Sequence, residues 1–329
     1  MGFDSFEVSR KMKNTSIVVS APCKVHLLGE WSVVWGKPAL LTTVDLRITA
    51  TISPNTASAT TSKVGFDSFE VRQIVEPIIK KELKIKKIPP YKLEISSQIP
   101  MGAHLGSSAA VSVASIAALL SNLGVKWDLE LINKLAYEAE KVFHGNPSGA
   151  DNSTIVYGGL MWYRQENPEL KIIHPLPFSI PSRLTRNFVL INTGTPTQTT
   201  KQMITKITSL FDQKPKLKDE FLESQERLVR ELLTAIKDAN EKEVIRIIRE
   251  GEKNLESIGV ASKYVVPIIR TIETSGGAAK ICGAGSDSGP TGVLLCYHKD
   301  KKVAQNLAKS YNLPYFSAKL GVEGLRLEE

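Results

Sequence analysis

The stretch Ile99-Pro-Met-Gly-Ala-His-Leu-Gly-Ser-Ser-Ala-Ala110 constrains this chain more than any other, because it runs directly into the apolar segment 111–120. A strand end, a loop of small residues and the first turn of a helix are expected there. Such a junction offers unpaired backbone N–H groups and the positive end of a helix dipole to an anion. Gly102 and Gly106 allow backbone to approach a ligand closely, and Ser107 and Ser108 add hydroxyls at the helix start. This is phosphate-binding chemistry, but no Gly-Lys-Ser/Thr follows the glycines, so the pattern is not a P-loop.

The remainder of the 329 residues limits the fold and the partners. With 42% hydrophobic and 23% charged residues the chain has an ordinary globular balance, enough for one large or two medium domains. A net charge of +8 and a pI near 9.2 suit either nucleic acid or a small anionic ligand. The densest basic run, 80–87, has no interleaved aromatics and stops before Pro89-Pro90, so it reads as a solvated helix end and no nucleic-acid partner is expected. Cys23, Cys282 and Cys296 have neither metal-ligand nor disulfide-framework spacing, which points to a reducing compartment. The first residues lack an apolar signal core, and the apolar window 109–120 is too short and serine-rich for a bilayer. A soluble cytoplasmic protein without a membrane partner is expected.

Strands and helices mix in both halves without a regular βαβ repeat, so the expected class is α+β in two domains. Strands are expected at 16–21, 39–44, 47–53, 91–97, 158–163, 170–173, 187–192, 279–282 and 292–297. Helices are expected at 69–83 (kinked or restarted at Pro77), 109–123, 129–143 capped by Asp128, 219–239, 241–258, 263–274 and 303–310. The proline-rich segment 175–182 reads as a linker, which places domains at 12–182 and 183–329. Gly2-Phe-Asp-Ser-Phe-Glu-Val8 recurs identically at 65–71, and Met12 is an alternative start, so residues 1–11 are expected to be an extension outside the core fold.

Three further segments bear on chemistry. In Ala21-Pro-Cys-Lys-Val-His-Leu-Leu-Gly-Glu30 a strand presents Lys24 and a turn follows at Gly29-Glu30. A fixed lysine neutralises phosphate or lowers the pKa of a hydroxyl, although alone it reads as a surface residue. In Glu140-Lys-Val-Phe-His-Gly-Asn-Pro-Ser-Gly-Ala-Asp-Asn152, two carboxylates flank a rigid turn, an arrangement suited to metal binding plus hydroxyl activation. Lys280-Ile-Cys-Gly-Ala-Gly-Ser-Asp-Ser-Gly-Pro-Thr-Gly292 is a glycine-rich loop that either covers a triphosphate or simply turns the chain.

The order of lysine strand, Pro-x-Gly-x-x-x-Gly-Ser-Ser-Ala helix start, Pro-Ser-Gly-x-Asp-Asn turn and late Gly-Ala-Gly loop resembles the GHMP small-molecule kinase superfamily, over residues ~16–297. Within it the match is to the mevalonate kinase family, through Gly29-Glu30, Gly36-Lys-Pro-Ala-Leu40, His144 to Asn152 with Gly158-Gly159, and Asn192-Thr-Gly-Thr-Pro followed by Thr199-Thr-Lys201. The resemblance implies a ribosomal-S5-domain-2-like N-terminal domain, a ferredoxin-like C-terminal domain and ATP- and Mg²⁺-dependent phosphorylation of a small alcohol, with mevalonate foremost. Phosphomevalonate, another acceptor of the superfamily, or a non-catalytic ligand sensor are the alternatives.

By the same resemblance Asp151 orients or deprotonates the acceptor hydroxyl and Lys24 stabilises the charge that develops in transfer. Ser108 and Glu140 hold Mg²⁺. Pro100, Gly102, Ala103, His104, Leu105, Gly106, Ser107, Ser108 and Ala109 cradle the nucleotide, with Gly283, Ala284 and Gly285 closing the site. Glu30, Trp31, Ser148 and Thr199 join Lys24 and Asp151 around the acceptor. A homodimer is compatible with it. The chain departs from the family at Cys23 and His104, where glycines are usual, and at Trp31, where histidine is usual. Its third motif is longer, with Asp287, Pro290 and Thr291 added. Trp31 matters most, because tryptophan is bulkier and donates but does not accept a hydrogen bond. His26 and His144 read as structural, Trp35 and Met101 as packing residues.

Overall fold

Two long strands found the first half: β1 (Ile17–Leu28) lies antiparallel to β2 (Ala39–Pro54) along almost all of its length. The structure is a computed structural model that describes residues 15–54, 67–99, 104–145, 147–167 and 170–328. The expected 1–11 extension and the site candidates Pro100, Gly102 and Ala103, like Met101, lie outside the described residues. The two expected strands at 39–44 and 47–53 are one strand. Pairing passes from Pro22↔Arg47 to Cys23↔Val44, so Asp45 and Leu46 form a bulge that bends the ladder without ending it.

Helix α1 (Ser68–Leu83) starts at an Asp67 cap and passes through Pro77 as one helix rather than restarting there. Its buried residues Val71, Val75, Ile79 and Leu83 recur every four positions on both sides of the proline, so one apolar stripe holds both halves down. Strand β3 (Tyr91–Ser97) pairs with the far part of β2. Helix α2 (Ser107–Asn122) is buried along nearly its entire length. Its alanines, valines and serines are small enough to let β1, β2 and neighbouring helices approach from several sides. Helix α3 (Leu129–His144) begins where expected, the Leu131 N–H donating to Asp128 at 2.8 Å. Helix α4 (Ala150–Tyr157) was not legible in the sequence. The strand expected from 158 starts after it, as β4 (Leu160–Gln165), followed by β5 (Lys171–Pro175).

The second half holds α5 (Ser182–Thr185), β6 (Phe188–Asn192), α6 (Thr200–Gln213), α7 (Pro215–Lys237), α8 (Glu241–Ser257), α9 (Val266–Thr274), β7 (Ala278–Ile281), β8 (Val293–Tyr297), α10 (Lys302–Ser310) and β9 (Tyr315–Ala318), and ends with β10 (Arg326–Leu327). Both sheets are antiparallel, in the order β10-β1-β2-β4-β5 with β3 on β2, and β7-β8-β6-β9. Two sheets with helices packed on them make the α+β arrangement expected from the sequence.

Side-chain alternation on the second sheet explains how the halves join. Phe188, Leu190, Val293 and Leu295 belong to the core that also contains β1, β2 and α2, whereas Val189, Ile191, Leu294 and Cys296 belong to a separate core under α6 and α9. Helices α7 and α8 add Leu228, Leu232, Val244 and Ile248 to the first of these cores, so apolar packing is continuous across residue 182. Residues beyond 318 also cross that line. β10 pairs with β1, and Leu320 bridges to Val44. All three cysteines are free and buried. Among the described residues no helix is long and apolar enough to cross a membrane.

Candidate active site

Lys24 leaves β1 towards the start of α2. Its backbone N–H donates to Leu105 O at 3.0 Å, pinning the loop before the helix, and its side chain lies along Gly106. Gly106 has φ +74°, and a Cβ there would approach Lys24 Cγ to 3.0 Å, so the position needs glycine twice over. Gly106 is the N-cap of α2 and offers no side chain, which leaves the first-turn N–H groups of Ser107, Ser108 and Ala109 without a side-chain cap. The sequence predicts a helix start with uncapped N–H groups here, and α2 begins in that way.

The lysine ammonium ends 2.8 Å from Asp151 Oδ1. The lysine side chain is 5% exposed and the aspartate 34%, so a buried cation meets a carboxylate that opens to solvent. Asp151 sits in the first turn of α4, where the helix dipole favours a negative charge. The loop that aims it is tied on three sides. Ala150 N–H donates to Ser148 Oγ at 3.1 Å, while Tyr137 OH and Lys171 Nζ donate to Pro147 O at 3.3 and 3.2 Å. Ser148 therefore organises the start of α4.

Beside this pair, Ser108 Oγ donates to Glu140 Oε2 at 3.4 Å and lies 3.0 Å from His144 Nε2. Glu140 is 3% exposed, and burial first, then the charge of Asp151, pushes its carboxyl up to about 7. Its Oε1 is buried without a hydrogen-bond partner. A hydroxyl and a carboxylate with an unused oxygen are hard donors that suit Mg²⁺. That ion takes one or two protein carboxylates and completes its shell with phosphates and water. Ser108 and Glu140 thus fit the expected metal, although among the described residues no cluster of three or more His, Cys, Asp or Glu could hold one alone. His144, read from sequence as structural, stands at this position too.

His104 has φ +59° and packs against Gly283, so the helix-start loop meets the glycine-rich loop of the second half. Burial and then Lys24 lower its basicity. Leu105 and Ala109 are buried packing residues, as is Ala284. The additions to the third motif have structural partners. Asp287 pairs with Lys206 of α6 at 2.6 Å and with Gln198, and Thr291 N–H donates to Thr193 Oγ1 at 3.0 Å.

Three further acceptor candidates make these contacts within the protein. Glu30 is buried in an ion pair with Lys280 of β7. Trp31 packs into the core under α6, its Nε1 buried without a partner. Thr199 is exposed and caps α6, accepting from Gln202 N–H at 3.2 Å while Gln202 reaches back to the Thr199 N–H. Trp35 packs as expected, 4.8 Å from Phe211. Neither Lys280, buried against Glu30, nor Glu252, which accepts the Ile281 N–H at 2.9 Å, was singled out from the sequence. The only available signal was a lysine interrupting an apolar strand.

Residues 71–159 match the model of the GHMP kinases N terminal domain. The mevalonate kinase of Pyrococcus horikoshii is 30% identical over 95% of this chain and 98% of its own, and that of Mus musculus 26% over 86% and 87%. Among solved structures, the mevalonate kinase of Methanococcus jannaschii superposes with a TM-score of 0.76 at 21% identity, covering 96% of this chain and 100% of that one. The L. major mevalonate kinase in complex with R-mevalonate gives 0.78 at 19%, covering 97% and 99%. With one fold shared throughout and 30% identity sustained over nearly the full length of a relative, this chain belongs to the mevalonate kinase family of the GHMP kinases.

Proposed function

We propose that this chain transfers the γ-phosphoryl group of ATP to the 5-hydroxyl of mevalonate, giving 5-phosphomevalonate and ADP. The observation that carries the reading is the 2.8 Å pair of Lys24 and Asp151 at the start of two helices. Phosphoryl transfer requires in-line positioning and charge neutralisation more than covalent chemistry, and this pair supplies a base beside a cation. Asp151 accepts the proton of the acceptor hydroxyl as oxygen attacks phosphorus. Lys24 faces the charge that builds on the transferred group, and its burial strengthens that interaction. The N–H groups at the start of α2 hold the nucleotide phosphates. Ser108 and Glu140 would hold Mg²⁺, which when bound supplies charge neutralisation on those phosphates. The nucleotide-binding domain is assigned to 12–182 and the second domain, which contributes Gly283 to Gly285, to 183–329, with the residues beyond 318 returning to the sheet of the first. Support for mevalonate as the acceptor comes from the family of the relatives and their near full-length coverage.

Coupled ADP release tests this with Mg-ATP and a panel of mevalonate, phosphomevalonate and sugar alcohols. Mevalonate-dependent turnover is expected, falling about 10²- to 10⁴-fold in Asp151→Asn with ATP binding retained. Turnover on a different acceptor alone would refute the substrate. Undiminished turnover in Asp151→Asn would refute the base.

A further inference from the structure

Helix α4 carries Asp151 in its first turn, yet it is only eight residues long. A helix that short is marginal on its own, so the contacts at its two ends decide where Asp151 stands. The Ser148 loop holds the start. The far end meets a segment from the end of the chain. Leu325 N–H donates to Val156 O at 3.1 Å, and Gly158, where α4 stops, bridges to Glu323. Val156 O is one of the last carbonyls that the helix itself leaves unpaired, and these point along its axis, so the segment stands across the end of α4 as a stop. Gly324 shows how tight that seat is. A Cβ there would come within 2.2 Å of Val156 O and 2.7 Å of Gly158 N, although the Gly324 backbone is not left-handed. Glycine is needed at 324 by the helix end and not by its own conformation.

The same segment is tied to the strands beside Lys24. Thr43 faces Lys24 across the β1–β2 ladder and is fully buried. Its hydroxyl donates to Val322 O at 2.6 Å and accepts the Gly159 N–H at 3.1 Å, while that N–H also reaches Val322 O at 2.9 Å. Further on, Arg326 pairs with Ser20 of β1, four residues before Lys24. The contacts close into a frame: Lys24 meets Asp151, α4 runs from Asp151 to Gly158, Gly159 joins Thr43, and Thr43 pairs with Lys24. Residues 322–325 brace the corner of that frame opposite the ion pair.

We propose that residues 322–325 form a positioning strap for Asp151: seated against the end of α4 and on Thr43, they set how closely its carboxylate approaches Lys24. This rests on the kinase reading above, in which Asp151 takes the proton of the acceptor hydroxyl. Gly324 lies at the opposite end of α4 from Asp151 and acts through the helix.

The test uses the full chain with Gly324→Ala, alone and combined with Asp151→Asn, reading kcat, the KM for ATP and the melting temperature. Ile79→Val, a core truncation in α1, is the control for lost stability. The added Cβ must part strap and helix, and displacing a reacting group by ~1 Å costs about 10²-fold in rate. Gly324→Ala is therefore expected to lower kcat about 10²-fold with the ATP KM, set at the start of α2, unchanged. In the Asp151→Asn background it is expected to cause no further loss, because its effect passes through that carboxylate. Thr43→Val leaves Val322 O bonded to the Gly159 N–H, so no buried group is orphaned, and it decides alone if Gly324→Ala does not fold. It is expected to lower kcat about fivefold, the equivalent of one neutral hydrogen bond, again only where Asp151 is present. The proposal is overturned if either folded variant keeps the wild-type kcat, or lowers kcat as much in Asp151→Asn as in wild type. It is equally overturned if Ile79→Val lowers kcat as far at a comparable loss of melting temperature. Failure of the kinase reading looks different: wild type then turns over no alcohol of the panel, and the proposal falls with it. If wild type prefers another alcohol, the same ratios are read on that alcohol.

Discussion

Gly106 carries more of the site than its lack of a side chain suggests. Gly106→Ala forces a Cβ into a left-handed backbone and against the Lys24 stem. A cost of about 1–2 kcal/mol from the backbone alone is expected in chemical denaturation. Displacement of Lys24 should also lower kcat by more than that loss of stability explains, and wild-type kcat in a folded variant would show that the lysine tolerates the shift. Glu252 gives a pH signature. Its folded pKa of about 8 lies above the ordinary 4.5, so its contribution is complete below pH 4.5 and is lost as pH rises towards 8. Across that window the unfolded chain has released a proton that the folded one retains, at a cost of up to about 1.4 kcal/mol per pH unit. Glu252→Gln should therefore gain stability relative to wild type between pH 5 and 8, and parallel urea midpoints at pH 5.5, 7 and 8 would contradict this. Asp151 was legible in the sequence because Gly145, Pro147 and Gly149 mark the turn before it, whereas Lys24 stood out only through the family resemblance. Lys280 and Glu252 were not legible, because their meaning lies in contacts with Glu30 and the β7 edge that no local pattern encodes.

Helix α4 shows why the elements were only partly legible. Gly145, Pro147 and Gly149 announce a turn, but nothing local says that eight helical residues follow, since Ala150–Tyr157 has little amphipathic pattern and is buried on most sides. Tertiary packing decided the matter. The same holds for β2, whose bulge at Asp45-Leu46 reads as a break between two strands. Where a local hydrogen bond defines the boundary, as at Asp128, the sequence was sufficient. Thr199 can be separated from an acceptor role at this scale. Its hydroxyl caps α6, so Thr199→Ala should cost about 1 kcal/mol and Thr199→Ser little. An acceptor KM that rises in Thr199→Ala beyond that cost would return the residue to the substrate.

At the scale of the whole molecule, the α+β class was legible from the mixed elements, but the division into two sheets and the route of the last residues were not. Arg47 fastens them. It donates to Gly324 O at 2.7 Å and Glu323 O at 3.1 Å, and to Ser20 O at 2.9 Å on β1. Gly158 receives the same segment so closely that a Cβ would come within 2.9 Å of the Glu323 and Gly324 backbone. Arg47→Met is expected to cost about 2 kcal/mol by the loss of charge-assisted hydrogen bonds, measured by urea unfolding. An unchanged midpoint would mean that β10 and Gly158 hold the segment unaided. The pairing of Ser20 with Arg326 also sets a timetable for synthesis. A ribosome adding 5–20 residues each second takes roughly 15–60 s to travel between those two positions. Throughout that interval β1 presents a bare edge of the kind that invites wrong partners. The sheet that carries Lys24 is thus the first to be translated and the last to be closed.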